Sequence, residues 1–283
     1  MRTRVLTAVA VAALVALAGC SAGPFGGPGT ETAADSDDQA VESETATVSS
    51  FAYPAGASPS GIENVSTLLD EHEATLSGSN VTLEGNVSIS FMSERVGPTF
   101  TIAHEAASNE TLTTVTGESG DSFESYLSPD VQAYRVEGDA GVEYGTSETS
   151  VDAGFTEGTP ESFTGRTILA SIIGPATYNA TGVVTRDGTE LVRYELVNAS
   201  TTPGAVLNVG NDTDSGGAFA GDTDVSSDVE GTLLVDSDGL IHEAHYRATS
   251  GGNGGFSSGF GVHVSFTDVG ETSVERPDWT GNV

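Results

Sequence analysis

Gly255-Phe256-Ser257-Ser258-Gly259 matches G-x-S-x-G, a spacing that can present a serine oxygen beside backbone donors for acyl transfer. That geometry needs a strand, a strained turn and then a helix. Here the match lies inside GGNGGFSSGFG, between two segments that alternate like antiparallel strands. Gly and Ser content alone produces it, and Ser257 is not assigned as a nucleophile. His242 and His245 flank Glu243, and His263 lies beyond the glycine-rich loop. These side chains carry metal-ligating atoms but lack the helical H-E-x-x-H spacing that sets two imidazoles on one face. On a strand, residues three apart point to opposite faces. If even positions 240–246 share a face with Phe260, Val262, Val264 and Phe266, His242 turns inward, while His245 and His263 become diagonal neighbours on the polar face. Asp212-x-Asp214-x-Gly216, with Asp222, Asp224 and Asp228 after it, begins like a calcium loop. Gly216 stands where a third ligand is required, and the closing Glu is missing. Among 41 Asp and Glu such clusters are background. The expectation is a chain with no catalytic residue, no metal and no cofactor.

Cys20 is the only cysteine, so it cannot close a disulfide within the chain. Arg2 and Arg4 precede an apolar run, Val5 to Leu17, which is shorter than the roughly 20 residues of a membrane-spanning helix. This is the plan of a signal peptide, residues 1–19, cut between Gly19 and Cys20. Leu17-Ala18-Gly19-Cys20 resembles a lipoprotein lipobox. That resemblance implies a mature N-terminus at Cys20 whose sulfur carries a lipid. A two-chain lipid would moor the protein to the membrane. Thr3 separates the two arginines, so the export route, general or twin-arginine, is left open.

Nine Arg and no Lys face 41 acids, for a net charge of −32. Such a chain repels nucleic acid and anionic membranes. Acid excess without lysine resembles the proteins of salt-loving archaea, in which salt screens self-repulsion. Seven of ten asparagines open an Asn-x-Ser/Thr triplet: Asn64, Asn80, Asn86, Asn109, Asn179, Asn198 and Asn211. Chance supplies about two, and the excess fits an exported, N-glycosylated surface.

Residues 20–52 are rich in Gly, Pro, Ser, Thr and acid, and read as a lipidated tether without enough apolar surface to fold. Residues 53–283 form a single extracytoplasmic domain. Ser60-Gly61-Ile62-Glu63 has the spacing of a capping box, and Ile62, Val65, Leu68, Leu69 and Leu76 share one face of a helix over 61–77. His72 adjoins that stripe and reads as a packed residue. Val81, Leu83, Val87, Ile89 and Phe91 alternate with polar residues, as on a half-buried strand. Further strands are expected over 98–107, 110–118, 131–137 and 142–145. Thr159-Pro160 opens a second helix that ends at Gly174-Pro175. Asp187-Gly188 marks a hairpin, 208–228 an acidic loop, and 229–236, 240–249 and 260–269 a closing meander. Trp279 pins the C-terminus.

The lipobox, the acidic tract, His72-Glu73-Ala74-Thr75-Leu76 and the segments 229–247 and 272–279 resemble an uncharacterised lipoprotein family of haloarchaea. The resemblance implies the architecture of LolA/LolB-type carriers: α+β, mainly β, a strongly curved antiparallel sheet forming an unclosed half-barrel with two covering helices. It assigns no catalytic residue. The function it implies is that of a lipoprotein on the outer face of the cell membrane. Its partners are the membrane, through Cys20, and a hydrophobic or lipid ligand in the concave face, with any protein partner unknown. The alternative is a non-catalytic envelope scaffold with a solid core.

Overall fold

The computed structural model describes residues 43–46, 48–91, 94–146, 163–199, 227–251 and 257–283. Among the described residues, thirteen strands form one antiparallel sheet. A first meander runs through β4 (Val81–Phe91), the short β5 (Glu94–Val96), β6 (Thr99–Glu105), β7 (Glu110–Thr116), β8 (Ser122–Leu127), β9 (Gln132–Gly138) and β10 (Gly141–Thr146). A second runs through β11 (Ala176–Arg186), β12 (Thr189–Ala199), β13 (Ser227–Val235), β14 (Ile241–Gly251) and β15 (Ser257–Thr267). The last strand of the second meander pairs with the first strand of the first, β15 with β4, and fuses the two halves. β1 (Ser43–Ala46), from the tract read as a tether, pairs with β11 and lies at one end of the sheet. β10 lies at the other end, and no pairing joins the two among the described residues. The sheet is unclosed, as expected. A separate pair, β2 (Ala57–Ser58) and β3 (Gly61–Ile62), precedes the first helix.

Two helices lie on the inner face, α1 (Val65–Leu76) before β4 and α2 (Arg166–Ile173) before β11. Leu68, Leu69 and Leu76 of α1 and Ile168, Leu169 and Ile172 of α2 share one apolar cluster with Leu83, Ile102, Val264 and Tyr246 of the sheet. Arg166 clamps the helices together, reaching Asp70 at 2.8 Å and Glu73 at 2.6 Å.

Helix α1 starts later than its capping-box spacing suggests. Asn64, not Ser60, is the cap, and its side chain accepts from the Thr67 N–H at 3.1 Å. Gly61 is held at φ +136 in β3, directly against the Tyr178 carbonyl, where no side chain fits. That contact fixes residues 61–62 as extended chain and defers the helix. Residues 147–162, including Thr159-Pro160, lie outside the described residues, and α2 ends at Gly174 as expected. Strand β8 was not legible in the alternation, and it fills the space between β7 and β9.

Glycines let aromatic rings lie flat on the inner face. A side chain on Gly85 of β4 would begin 2.5 Å from the Phe100 ring, and Tyr134 covers Gly145 in the same way. Glycine at such positions lets a wide sheet bend.

Candidate functional site

The inner face is built from cross-strand rows. One crosses Ala180, Tyr194, Leu233, Ala244, Val264, Gly85, Phe100, Val115, Phe123 and Val136, each opposite the next. All are apolar or aromatic apart from the Tyr194 hydroxyl. Cover is uneven along the strands. On β4, Val81 and Leu83 are 0% exposed beneath the helices, Val87 is half-buried, and Ile89 is 37% exposed. Val115, Phe123 and Val136 are also only half-buried. The concave face therefore has a dry, packed end and an open apolar lip where Ile89 faces Phe260.

Three tyrosines of this face, Tyr178, Tyr194 and Tyr246, are fully buried, and among the described residues their hydroxyls have no hydrogen-bond partner. Burial pushes all three phenols up, Tyr246 to about 12. They stay protonated and neutral at any ordinary pH. Sequence periodicity placed Tyr246 on the strand over 240–249, but nothing in it signals that these hydroxyls stand alone.

His72 is fully buried and ties three segments together. Its Nε2–H donates to the Thr164 carbonyl at 2.9 Å, and its Nδ1 accepts from the Ile241 N–H at 3.1 Å. Its ring meets Phe266 edge-on. Burial drives its pKa down to about 4. Its role as a packed residue is thus borne out. His104 is likewise buried, stacked on Phe163 at 3.9 Å and 3.0 Å from the Thr111 hydroxyl.

His242 does not turn into the core. The pairing of β13 with β14 slips between Leu234 and Val235, and this bulge carries His242 to the side, where its Nε2 donates to Asp236 at 2.9 Å. Ala244, Tyr246 and Ala248 point inward instead. His245 and His263 do share the outer face, but they sit directly opposite each other, not diagonally. Their rings are 6.3 Å apart. His263 donates to Glu243 at 3.3 Å, and Arg186 donates to the same carboxylate at 2.6 Å. The His263 hydrogen bond, helped by Arg186 and opposed by burial, holds Glu243 down at about 2. This is an ion-paired surface network, and no group of three or more His, Cys, Asp or Glu able to hold a metal occurs among the described residues.

The sequons divide by what their amides already do. Asn109, Asn179 and Asn198 are exposed, whereas Asn86 is half-buried on the outer face opposite His263. Asn64 is spent as the cap of α1. Asn80 is locked, its Nδ2 donating to Thr272 at 2.7 Å and its Oδ1 accepting from Ala106 at 3.0 Å. Gly19, Cys20, Asn211, Asp212, Asp214, Gly216, Asp222 and Asp224 lie outside the described residues, and of the G-x-S-x-G match only its end is described, as the start of β15. Trp279 is half-buried in a 3₁₀ turn, Asp278–Asn282, that Arg276 braces through Thr280 at 2.9 Å. No described helix is long and apolar enough to cross a membrane.

The chain matches a family of unknown function, DUF7537, over residues 5–282, and belongs to it. The match takes in the apolar leader and the acidic tract as well as the sheet. No curated protein matches the chain. Similar solved structures include a LolA superfamily protein from Nitrosomonas europaea, at 7% identity and TM-score 0.26, covering 76% of this chain and 95% of that one. Another is the lipoprotein LppX of Mycobacterium tuberculosis, at 13% identity and TM-score 0.34, covering 74% of this chain and 97% of that one. A third, a DUF1329 family protein from Desulfovibrio piger, has 11% identity and TM-score 0.27, covering 76% of this chain and 95% of that one.

Proposed function

We propose that this DUF7537 protein is a non-catalytic lipoprotein, moored through lipid on Cys20 to the outer face of the cell membrane, whose concave face holds the hydrocarbon of a lipid. The observation that carries the ligand reading is the uneven cover of the inner face. Val81 and Leu83 are sealed at 0% exposure, while Ile89, on the same face of the same strand, is 37% exposed beside other half-buried apolar residues. Burying that lip under a chain gains about 25 cal/mol per Å² of apolar surface, with no specific polar contact required. The anchor reading rests on the order basic residues, apolar run, Leu17-Ala18-Gly19-Cys20. The acidic tract behind Cys20 then holds the sheet clear of the headgroups.

Protein purified from membranes of its native host is expected to carry a lipid adduct on Cys20 and a co-extracted lipid released by organic solvent, both read by mass spectrometry. A chain without the adduct removes the anchor, and a chain that is lipid-free in its folded part removes the carrier reading. A second reading, an envelope scaffold, is favoured by the fully packed rows beneath the helices, with Leu69, Ile172 and Val264 at 2% exposure or less. Crosslinking in intact cells separates the two, because a scaffold gives one stable protein adduct.

A further inference from the structure

We propose that Tyr178 and Tyr246, which lie on either side of Gly231 in the otherwise apolar concave face, are the anchor for a neutral oxygen of the bound lipid: an ether, ester or hydroxyl oxygen next to a long chain. This rests on the reading that the face binds lipid, and adds what part of the lipid is recognised. Tyr246 is the direct cross-strand partner of Gly231. Tyr178 arrives from the other side, its hydroxyl 3.0 Å from where a side chain on Gly231 would begin. Glycine leaves room beside the Tyr178 hydroxyl. Both side chains are within 1% of full burial, and neither hydroxyl has a partner among the described residues. Nearly all buried polar atoms in native proteins are hydrogen-bonded, so two orphans on either side of one glycine mark a place where a partner belongs.

The chemistry of that partner follows from the surroundings. The neighbours in this row are Leu196, Val262 and Val87, none of which can balance a carboxylate or phosphate. An uncharged oxygen accepts from a phenol at no such cost. Position agrees. The next row towards the lip contains Ala248, Phe260 and the exposed Ile89, so the two phenols sit two residues inside the opening, about 7 Å along the strands. A lipid whose head stays in water at the lip would set its first linking oxygen at that depth, and its chain along the half-buried Val115 and Phe123.

The test uses the full chain in concentrated salt and two probes of equal chain length, 1-monopalmitoylglycerol and hexadecane. The wild type is expected to prefer the glyceride. Y178F/Y246F is expected to lose about tenfold in glyceride affinity, with hexadecane binding unchanged and a thermal midpoint of the empty protein equal or higher. Glyceride affinity equal to wild type in the double variant, with both probes still bound, overturns the anchor and leaves the lipid-binding reading standing. A wild type that binds neither probe overturns that reading and the anchor with it. Y246F alone serves the same comparison if the double variant fails to fold.

Discussion

Alanine at position 72 is expected to lower the folding free energy by about 3–5 kcal/mol. The imidazole is 0% exposed, so its loss leaves a cavity between α1 and Phe266. It also strands the Thr164 carbonyl and the Ile241 N–H, each buried and each currently bonded to a ring nitrogen. His72→Phe keeps the ring volume and removes only the nitrogens, and should recover the cavity part alone. The same residue sets an acid transition. Its ordinary pKa of 6.5 falls to about 4 in the folded chain, so the unfolded chain takes the proton first. Stability is complete above about 6.5 and drains away as pH falls towards 4, by about 3 kcal/mol at 1.36 kcal/mol per pH unit. Below that, Glu243 adds its own loss between its ordinary 4.5 and about 2. Urea unfolding at pH 7.5 and pH 5 measures both effects. Wild type should differ strongly between the two, and His72→Ala should differ less, keeping only the part that His104 and His245, also held low by burial, contribute. A cost under 1 kcal/mol, or an unchanged pH slope in the variant, would refute this account.

Transfer from about 3 M to about 0.1 M NaCl is expected to abolish most of the β-sheet circular-dichroism signal. At 1 M salt charges farther apart than about 3 Å are screened, and at 0.1 M repulsion extends to about 10 Å. The net charge is −32, with nine arginines against 41 acids. Several of those arginines are already committed to carboxylates: Arg135 to Glu124 and Glu137, Arg166 to Asp70 and Glu73, Arg186 to Glu243, Arg247 to Glu230. These local pairs hold helix to helix and strand to strand but leave most of the negative charge unbalanced. A signal unchanged down to 0.1 M would show that sheet and core outweigh the repulsion unaided.

The broad architecture was legible because the first long strand reads cleanly. Val81, Leu83, Val87 and Ile89 face in while Thr82, Glu84, Asn86 and Ser88 face out, and the structure keeps that phase. What failed depended on contacts distant in sequence. Ser60 has a capping spacing, but Gly61 is claimed by the Tyr178 carbonyl, so the helix waits for Asn64. Strand β8 carries aromatics on both faces, with Phe123 opposite Val136 and Tyr126 opposite Ala133, and two-sided burial erases a period of two. His242 was placed by counting residues, and one bulge reversed the count. The lip and the lone tyrosine hydroxyls belong to the assembled sheet, since exposure and missing partners exist only once strands far apart in the chain have met.

The seam between β4 and β15 has a consequence for how the molecule comes into being. Val87 and its partner Val262 are far apart along the chain, so the two meanders are sewn together only after a long stretch between them has closed. Pairings this distant are slow to form, on the scale of milliseconds to seconds, because a long loop must close before any contact rewards it. Until that seam closes, β4 and β15 each leave one edge unpaired and open to a passing strand.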